Sequence, residues 1–378
     1  MAEPRKLTVV QVLPALESGG VERGTLEVGK HLAEHGHRSI VISAGGRLVD
    51  QLLREGSEHV GWDIGQKSLL TLRLVAKLRR FLVENRVDIL HARSRMPAWI
   101  CYLAWRGMDP QTRPRFITTV HGLYSVNAYS AVMLKGETII AVSEAARDYI
   151  LQNYPAADPQ RIALIPRGVE PAEFPYGYRP SQEWLQAWQS EYPALAGKKI
   201  LTLPGRITRL KGHHDFLELI AALRARQLDV HGLIVGGEDP NRQAYAAEVR
   251  KAVHDRGLDD AVSFTGNRGD IREILAVSDL VLSLSNKPES FGRTVLEALS
   301  LGVPAVGYDH GGVREILRTL YPAGAVETGN VAQLIETVAR LLEKPCAVRA
   351  DNPYTLKNML DSTLALYEQA AASRTLRG

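Results

Sequence analysis

The sequence predicts an α/β protein built from two Rossmann-like domains with parallel sheets. Three observations carry that expectation. The chain has 378 residues, more than a single compact core usually supports. Short apolar, β-branched runs alternate with amphipathic, helix-like segments along almost its whole length. A single stretch near the middle, 171–198, breaks the alternation with proline, aromatic and polar residues.

The first set of strand-like runs covers 7–13, 39–43, 88–91, 115–120, 138–142 and 162–165. The second covers 199–204, 230–235, 262–265, 280–284 and 305–308. Near-continuous apolar strands separated by amphipathic helices belong to parallel sheets covered on both faces. Pro171, Pro175, Pro180 and Pro193 mark the interruption as a linker with a short helix. The expected organisation is an N-terminal domain over 1–175, a linker over 176–198, a second domain over 199–352 and a final helical segment over 353–378. Ligands of such sheets bind outside the carboxyl ends of the strands, so the functional residues are sought there.

A composition of 45% hydrophobic and 23% charged residues is ordinary for a globular protein in water. Cys101 and Cys346 are too few for a disulfide framework and fit a reducing cytoplasm. The N-terminus runs directly into the first strand without a signal-peptide core. The longest apolar stretch, 96–105, is about half of what a membrane span needs. The net charge of +4 lies entirely in the first half, where residues 1–175 hold 22 Lys and Arg against 18 Asp and Glu. Arg73, Lys77, Arg79, Arg80 and Arg86 lie on or just after one helix-like segment, followed by Arg93 and Arg95. They form either a solvated helix face or a surface that attracts anionic lipid headgroups, at about 1 kcal/mol per basic residue.

Four motifs stand at strand–loop–helix junctions. The first runs from Pro288 through Glu289, Ser290, Phe291, Gly292, Arg293 and Thr294 to Glu297. Glu289 falls on the loop after a strand and Glu297 one turn into the next helix. First-turn amides there attract phosphate, and the carboxylates can accept hydrogen bonds from sugar hydroxyls. The alternative is a capped surface helix with two incidental glutamates. The second motif begins at Gly205 and Arg206 and ends at Lys211 and Gly212. Its two cations can converge on one diphosphate, or serve only solubility. Gly311 and Gly312, followed by Val313, Arg314 and Glu315, form the third. Ser18, Gly19 and Gly20 form the fourth, after the first strand. Glycine at such turns permits close backbone approach to a ligand.

In order and spacing these motifs resemble glycosyltransferase family 4, the large retaining family with the GT-B fold, over nearly the whole chain. Ala141, Val142 and Ser143 match a further family element, as does the run from Ile165 to Glu170. The resemblance implies two domains facing across a cleft, with the segment around 354–367 crossing back to the N-terminal domain. It implies that Arg206 and Lys211 bind the donor diphosphate and that Glu297 holds the ribose. Glu289, with the amides around Ser290, Phe291, Gly292, Arg293 and Thr294, would hold the transferred sugar. Gly19 and Gly20 would approach the donor phosphate, and His121 would stand beside the donor sugar. Two residues depart from the pattern: Arg167 replaces the usual Asn, and Arg293 replaces an aliphatic residue.

The implied donor is a nucleotide diphosphate sugar, most commonly a UDP-sugar, and the implied acceptor a glycan or lipid-linked glycan of lipopolysaccharide or surface-polysaccharide assembly. No cofactor, metal ion or nucleic-acid partner is expected. The implied chemistry is a front-face reaction in which the leaving phosphate takes the acceptor's proton, helped by fixed geometry and charge stabilisation and by water exclusion on domain closure.

Other readings are weaker. A nicotinamide oxidoreductase would need G-x-G-x-x-G after a strand and an acid ending the second strand, and neither is present. A sugar-nucleotide epimerase or a silent sugar-nucleotide binding protein could share the fold. His35 and His37 lack a third metal ligand nearby. Ser143 and Glu144 read as a helix start. Trp99, Tyr102 and Trp105 recur at helical spacing, which fits a core stripe better than a membrane contact.

Overall fold

A computed structural model describes residues 5–17, 19–238 and 243–375. The chain divides into two compact units, 1–166 with 357–378, and 167–356. Each is built on one parallel sheet.

The sheet of the first unit runs β3-β2-β1-β4-β5-β6-β7. Its strands are β1 (Thr8–Val12), β2 (Arg38–Ser43), β3 (Glu58–Gly61), β4 (Ile89–Ala92), β5 (Arg115–Val120), β6 (Thr138–Ala141) and β7 (Ile162–Leu164). The sheet of the second unit runs β10-β9-β8-β11-β12-β13. Its strands are β8 (Lys199–Pro204), β9 (Val230–Val235), β10 (Val262–Gly266), β11 (Leu280–Ser283), β12 (Ala305–Tyr308) and β13 (Ala325–Val326). Both sheets reverse their order once, between β1 and β4 and between β8 and β11. Those are the topological switch points. Eleven of these strands coincide with the apolar runs of the sequence. The two unforeseen ones, β3 and β13, are short edge strands without a continuous apolar run, so the pairing partner and not the pattern defines them.

The helices of the first unit are α1 (Gly20–Glu34), α2 (Val49–Arg54), α3 (Leu74–Glu84), α4 (Arg95–Arg106) and α5 (Glu144–Asn153). Those of the second are α6 (Gln182–Glu191), α7 (His213–Ala225), α8 (Gln243–Asp255), α9 (Ile271–Ala276), α10 (Arg293–Ser300), α11 (Gly311–Leu320) and α12 (Val331–Glu343). The last helix, α13 (Leu356–Thr375), belongs to the first unit for nearly all its length. Buried Tyr367 ties it there, its hydroxyl 2.6 Å from His91 Nδ1. Arg115 adds hydrogen bonds to the Ala370 carbonyl and the Ser373 hydroxyl. The chain thus starts in the first unit, builds the second and returns.

The stretch expected to be a linker with a short helix forms that helix, α6, but it is structured as part of the second unit. Trp188 on α6 and Leu195 after it are buried against Leu233, Val235 and Ile274. Those apolar contacts outweigh the turn-forming character of the prolines around them. The Trp99, Tyr102 and Trp105 stripe packs along the core of the first unit, with Trp99 Nε1 donating to the Tyr129 carbonyl and Trp105 Nε1 to that of Pro114. The Ser143 hydroxyl accepts the Ala146 amide at 2.9 Å, an N-cap as expected. Among the described residues no helix is long and apolar enough to cross a membrane.

Candidate active site

β8 and β11 lie side by side at the switch point of the second unit, and the loops that follow them bring two of the motifs together. Lys211 ends a 3-10 turn (Arg209–Lys211) after β8. Glu289 lies on the loop between β11 and α10. Lys211 Nζ stands 2.6 Å from Glu289 Oε1, and the Ser285 hydroxyl donates to the same oxygen at 2.5 Å. His310 Nε2 contacts the Ser285 carbonyl at 2.7 Å and completes the cluster. Burial would push the Glu289 carboxyl up, but the Lys211 ammonium, the Ser285 hydroxyl and His310 hold it below its ordinary value. Glu289 therefore stays ionised around neutrality. Arg206, on the same β8 loop, is exposed and makes no hydrogen bond or ion pair with a described residue. Its charge is available to an incoming anion.

Glu297 sits on the first turns of α10 and is only 5% exposed. Its partner is Arg293, whose Nε donates to Oε1 at 3.0 Å, an i,i+4 pair within the helix. A cation at a helix N-terminus opposes the macrodipole, and the buried carboxylate offsets that cost. Phe291 is buried and meets the Tyr354 ring edge-on, with centroids 6.1 Å apart. Only its backbone can therefore serve a ligand. Gly292 caps α10 in a left-handed conformation, φ 97°, that other residues rarely adopt. Ser290 and Thr294 are half-buried on either side of it.

The Gly311–Gly312 motif braces this loop. The Gly312 amide donates to the Glu289 carbonyl at 2.8 Å, and a Cβ on Gly312 would stand 2.3 Å from the Phe291 Cα. No side chain fits at that approach.

In the first unit the expected site residues lie at strand carboxyl ends. Gly19 and Gly20 follow β1 at the start of α1, both exposed, and a Cβ on Gly20 would meet nothing within 4 Å. His121 follows β5 and is half-buried. Ser18 lies outside the described residues.

Sequence reasoning did not anticipate the polar layer beneath these positions. Gln11, His91, Arg93 and Thr119 are buried together under α1 and α13. Arg93 donates to Gln11 Oε1 at 2.6 Å, and Gln11 Nε2 donates to the Thr25 carbonyl at 3.1 Å. His91 bridges Thr119 and Tyr367, and burial with Arg93 nearby pushes its pKa well down. The signal was a glutamine and a histidine inside apolar strands, with arginine just past the second. This layer corrects the basic surface expected from the sequence. Arg93, 4% exposed, is not on the surface. Arg95 is folded against Tyr124 and Tyr129, and Arg79 packs toward the Ala104 carbonyl. Arg73, Lys77, Arg80 and Arg86 remain exposed. Arg167 is buried at the start of the second unit, 9% exposed. Among the described residues no group of three or more His, Cys, Asp or Glu is arranged to hold a metal ion.

Two Rossmann-like units on parallel sheets of seven and six strands match the GT-B fold of solved glycosyltransferases. Residues 18–173 match the profile of Glycosyltransferase Family 4, and 186–355 that of Glycosyl transferases group 1. A solved glycosyltransferase from Rickettsia africae is 31% identical, covering 97% of this chain and 98% of its own, with a TM-score of 0.84. The N-acetyl-alpha-D-glucosaminyl L-malate synthase of Bacillus anthracis is 27% identical over 343 residues, 87% of this chain and 86% of that one. HepE from Anabaena, solved with UDP and glucose, shares the fold at 19% identity and a TM-score of 0.76, with 98% of each chain covered. The chain belongs to the family 4, group 1 glycosyltransferases.

Proposed function

We propose that the chain transfers a sugar from a nucleotide diphosphate sugar, a UDP-sugar before others, to a glycan or lipid-linked acceptor. The transfer retains the anomeric configuration and needs no metal ion. The observation that carries this reading is the Lys211–Glu289 pair at the switch point of the second unit, with Arg206 uncommitted beside it. Lys211 and Arg206 receive the diphosphate. As the bond from the anomeric carbon to the phosphate oxygen breaks, negative charge grows on that oxygen, and fixed cations stabilise it most in the transition state. The acceptor hydroxyl bonds to the same face of the sugar, and its proton passes to the departing phosphate. Glu289 is held by Lys211 and Ser285 and therefore grips sugar hydroxyls instead of forming a covalent intermediate. Glu297, buried and braced by Arg293, takes the ribose hydroxyls.

The HepE complex with UDP and glucose supports the donor class. A role in lipopolysaccharide or surface-polysaccharide assembly is supported by one surface of the first unit. Leu69, Leu70 and Leu72 are 85%, 63% and 44% exposed there, in sequence beside exposed Arg73, Lys77 and Arg80. Exposed apolar side chains followed by exposed cations suit an anionic membrane carrying the acceptor.

A thermal-shift panel of UDP, GDP and ADP tests the donor. The right nucleotide at 100 times its Kd stabilises the fold by about 2.7 kcal/mol. Transfer is then run with a chelator, and the product anomer is read by NMR. Inversion, strict Mg²⁺ or Mn²⁺ dependence, or release of free sugar and nucleotide without acceptor would overturn the reading.

A further inference from the structure

The first unit carries a second concentration of positive charge, apart from any donor motif. Lys67 Nζ approaches the Tyr129 ring at 5.2 Å, and Arg95 Cζ approaches the same ring at 5.4 Å and that of Tyr124 at 4.7 Å. Arg95 donates one bond to a neutral acceptor, the Ser130 hydroxyl, at 3.3 Å. No carboxylate of a described residue lies within ion-pair distance of either cation. Other arginines do meet carboxylates, as Arg115 does Glu137 and Arg268 does Asp270. Aromatic faces orient a cation and shed its water, but they do not neutralise it.

The surroundings add to the imbalance. Arg95 is the first residue of α4, a helix of 12 residues with no acid in its first turn and no side-chain cap from Ser94. Its free amides and dipole favour an anion. Arg93, two residues earlier, brings a buried guanidinium whose Nε has no partner. The tyrosines are fixed in place: Trp99 holds the Tyr129 carbonyl at 3.0 Å, and the Tyr149 hydroxyl holds that of Tyr124. The loop that carries them starts at His121. Two cations without an ion-pair partner among the described residues, Arg95 and Lys67, and one helix terminus lie at the carboxyl edge of the sheet, where ligands of parallel sheets bind.

We propose that Arg95 and Lys67, on the Tyr124–Tyr129 platform, form a subsite for an acidic group of the acceptor, a phosphate or a carboxylate. The planar guanidinium binds two oxygens at once, and the lysine supplies a second point of charge. The proposal rests on the transferase reading for the word acceptor, while the anion subsite itself is tested by binding alone.

The test is calorimetric titration of the full chain with inorganic phosphate, glucose 6-phosphate and L-malate, with glucose as the uncharged control. A second arm compares phosphatidylglycerol with phosphatidylcholine vesicles, and UDP is titrated in parallel. At least one acid binds and glucose does not. Arg95→Gln weakens that binding about 10-fold or more. Lys67→Gln, an exposed change that leaves the fold alone, weakens it several-fold, and Arg95→Lys restores part of the loss. UDP affinity stays unchanged in all three variants. If only the phosphatidylglycerol arm shows the loss, the acidic group is borne on a lipid headgroup and the subsite stands. Equal binding of every acid and both vesicles by wild type and both Gln variants overturns it. Failure of UDP to bind the wild type removes the UDP-sugar donor from the proposed function and leaves the anion result intact.

Discussion

Lys211 Nζ and Glu289 Oε1 stand 2.6 Å apart, although 78 residues separate them in the chain. The pair forms because β8 and β11 are neighbours in the sheet, so the loops after them share one edge. On the proposed function, the carboxylate holds the ammonium that would meet a diphosphate. A phosphate oxygen then becomes a further partner, and little reorganisation is needed.

If Lys211 acts on the diphosphate and Glu297 on the ribose, as proposed, the two separate kinetically. Lys211→Ala lowers kcat by about 10²–10³, as loss of an oxyanion donor does, because its interaction grows in the transition state. Glu297→Ala costs about 1.5–3 kcal/mol as a lost charged acceptor, expressed in donor KM. Steady-state kinetics of both variants decide the matter. An equal kcat loss in Glu297→Ala with unchanged donor KM contradicts the division.

The Glu289 carboxyl gives a pH signature. Its folded value is depressed, so it stabilises the native state above the ordinary glutamate value of about 4.3. That contribution fades as pH falls through the depressed value. Lys211→Met removes the largest lowering influence and leaves burial to push the carboxyl up. The acid limb of kcat/KM, and the acid-side loss of stability, then move to higher pH. A pH–rate profile and denaturation at several pH values measure both. Unmoved limbs would show that Lys211 does not hold Glu289 ionised.

Gly312→Ala tests the brace between the two loops. The added methyl group would meet the Phe291 Cα and carbonyl at 2.3 and 2.4 Å, which is backbone and cannot swing aside. The expected cost is about 1–3 kcal/mol in denaturant unfolding, with a raised donor KM because Glu289 shifts with its loop. Unchanged stability would mean that the loops move independently.

Membrane attachment is tested on the leucine-rich surface. Arg73→Glu with Arg80→Glu, or Leu69→Ser with Leu70→Ser, reduces binding to anionic vesicles, and wild-type binding falls as salt rises. Arg79 is left out of the test because it packs against α4. Equal vesicle sedimentation in all variants removes the surface from the proposal.

Strand and helix periodicity is local, and so are the turn and helix-start signals. The sequence alone therefore determined the α/β class, two parallel sheets, eleven strands, the Ser143 cap and the places where Lys211, Glu289 and Glu297 would stand. What each side chain touches is not local. Arg293 could have faced a ligand or turned away, and α10 directs it to Glu297. Arg93 read as part of a basic surface, yet β4 carries it under α1 and α13, where Gln11 meets it. The prolines of 171–198 suggested a linker with a short helix; the helix is there, but its Trp188 found an apolar face on the second sheet. Residues distant in sequence become neighbours only through strand order and helix packing. The tertiary structure alone therefore decided which charges are paired, which are buried and which remain open to a ligand.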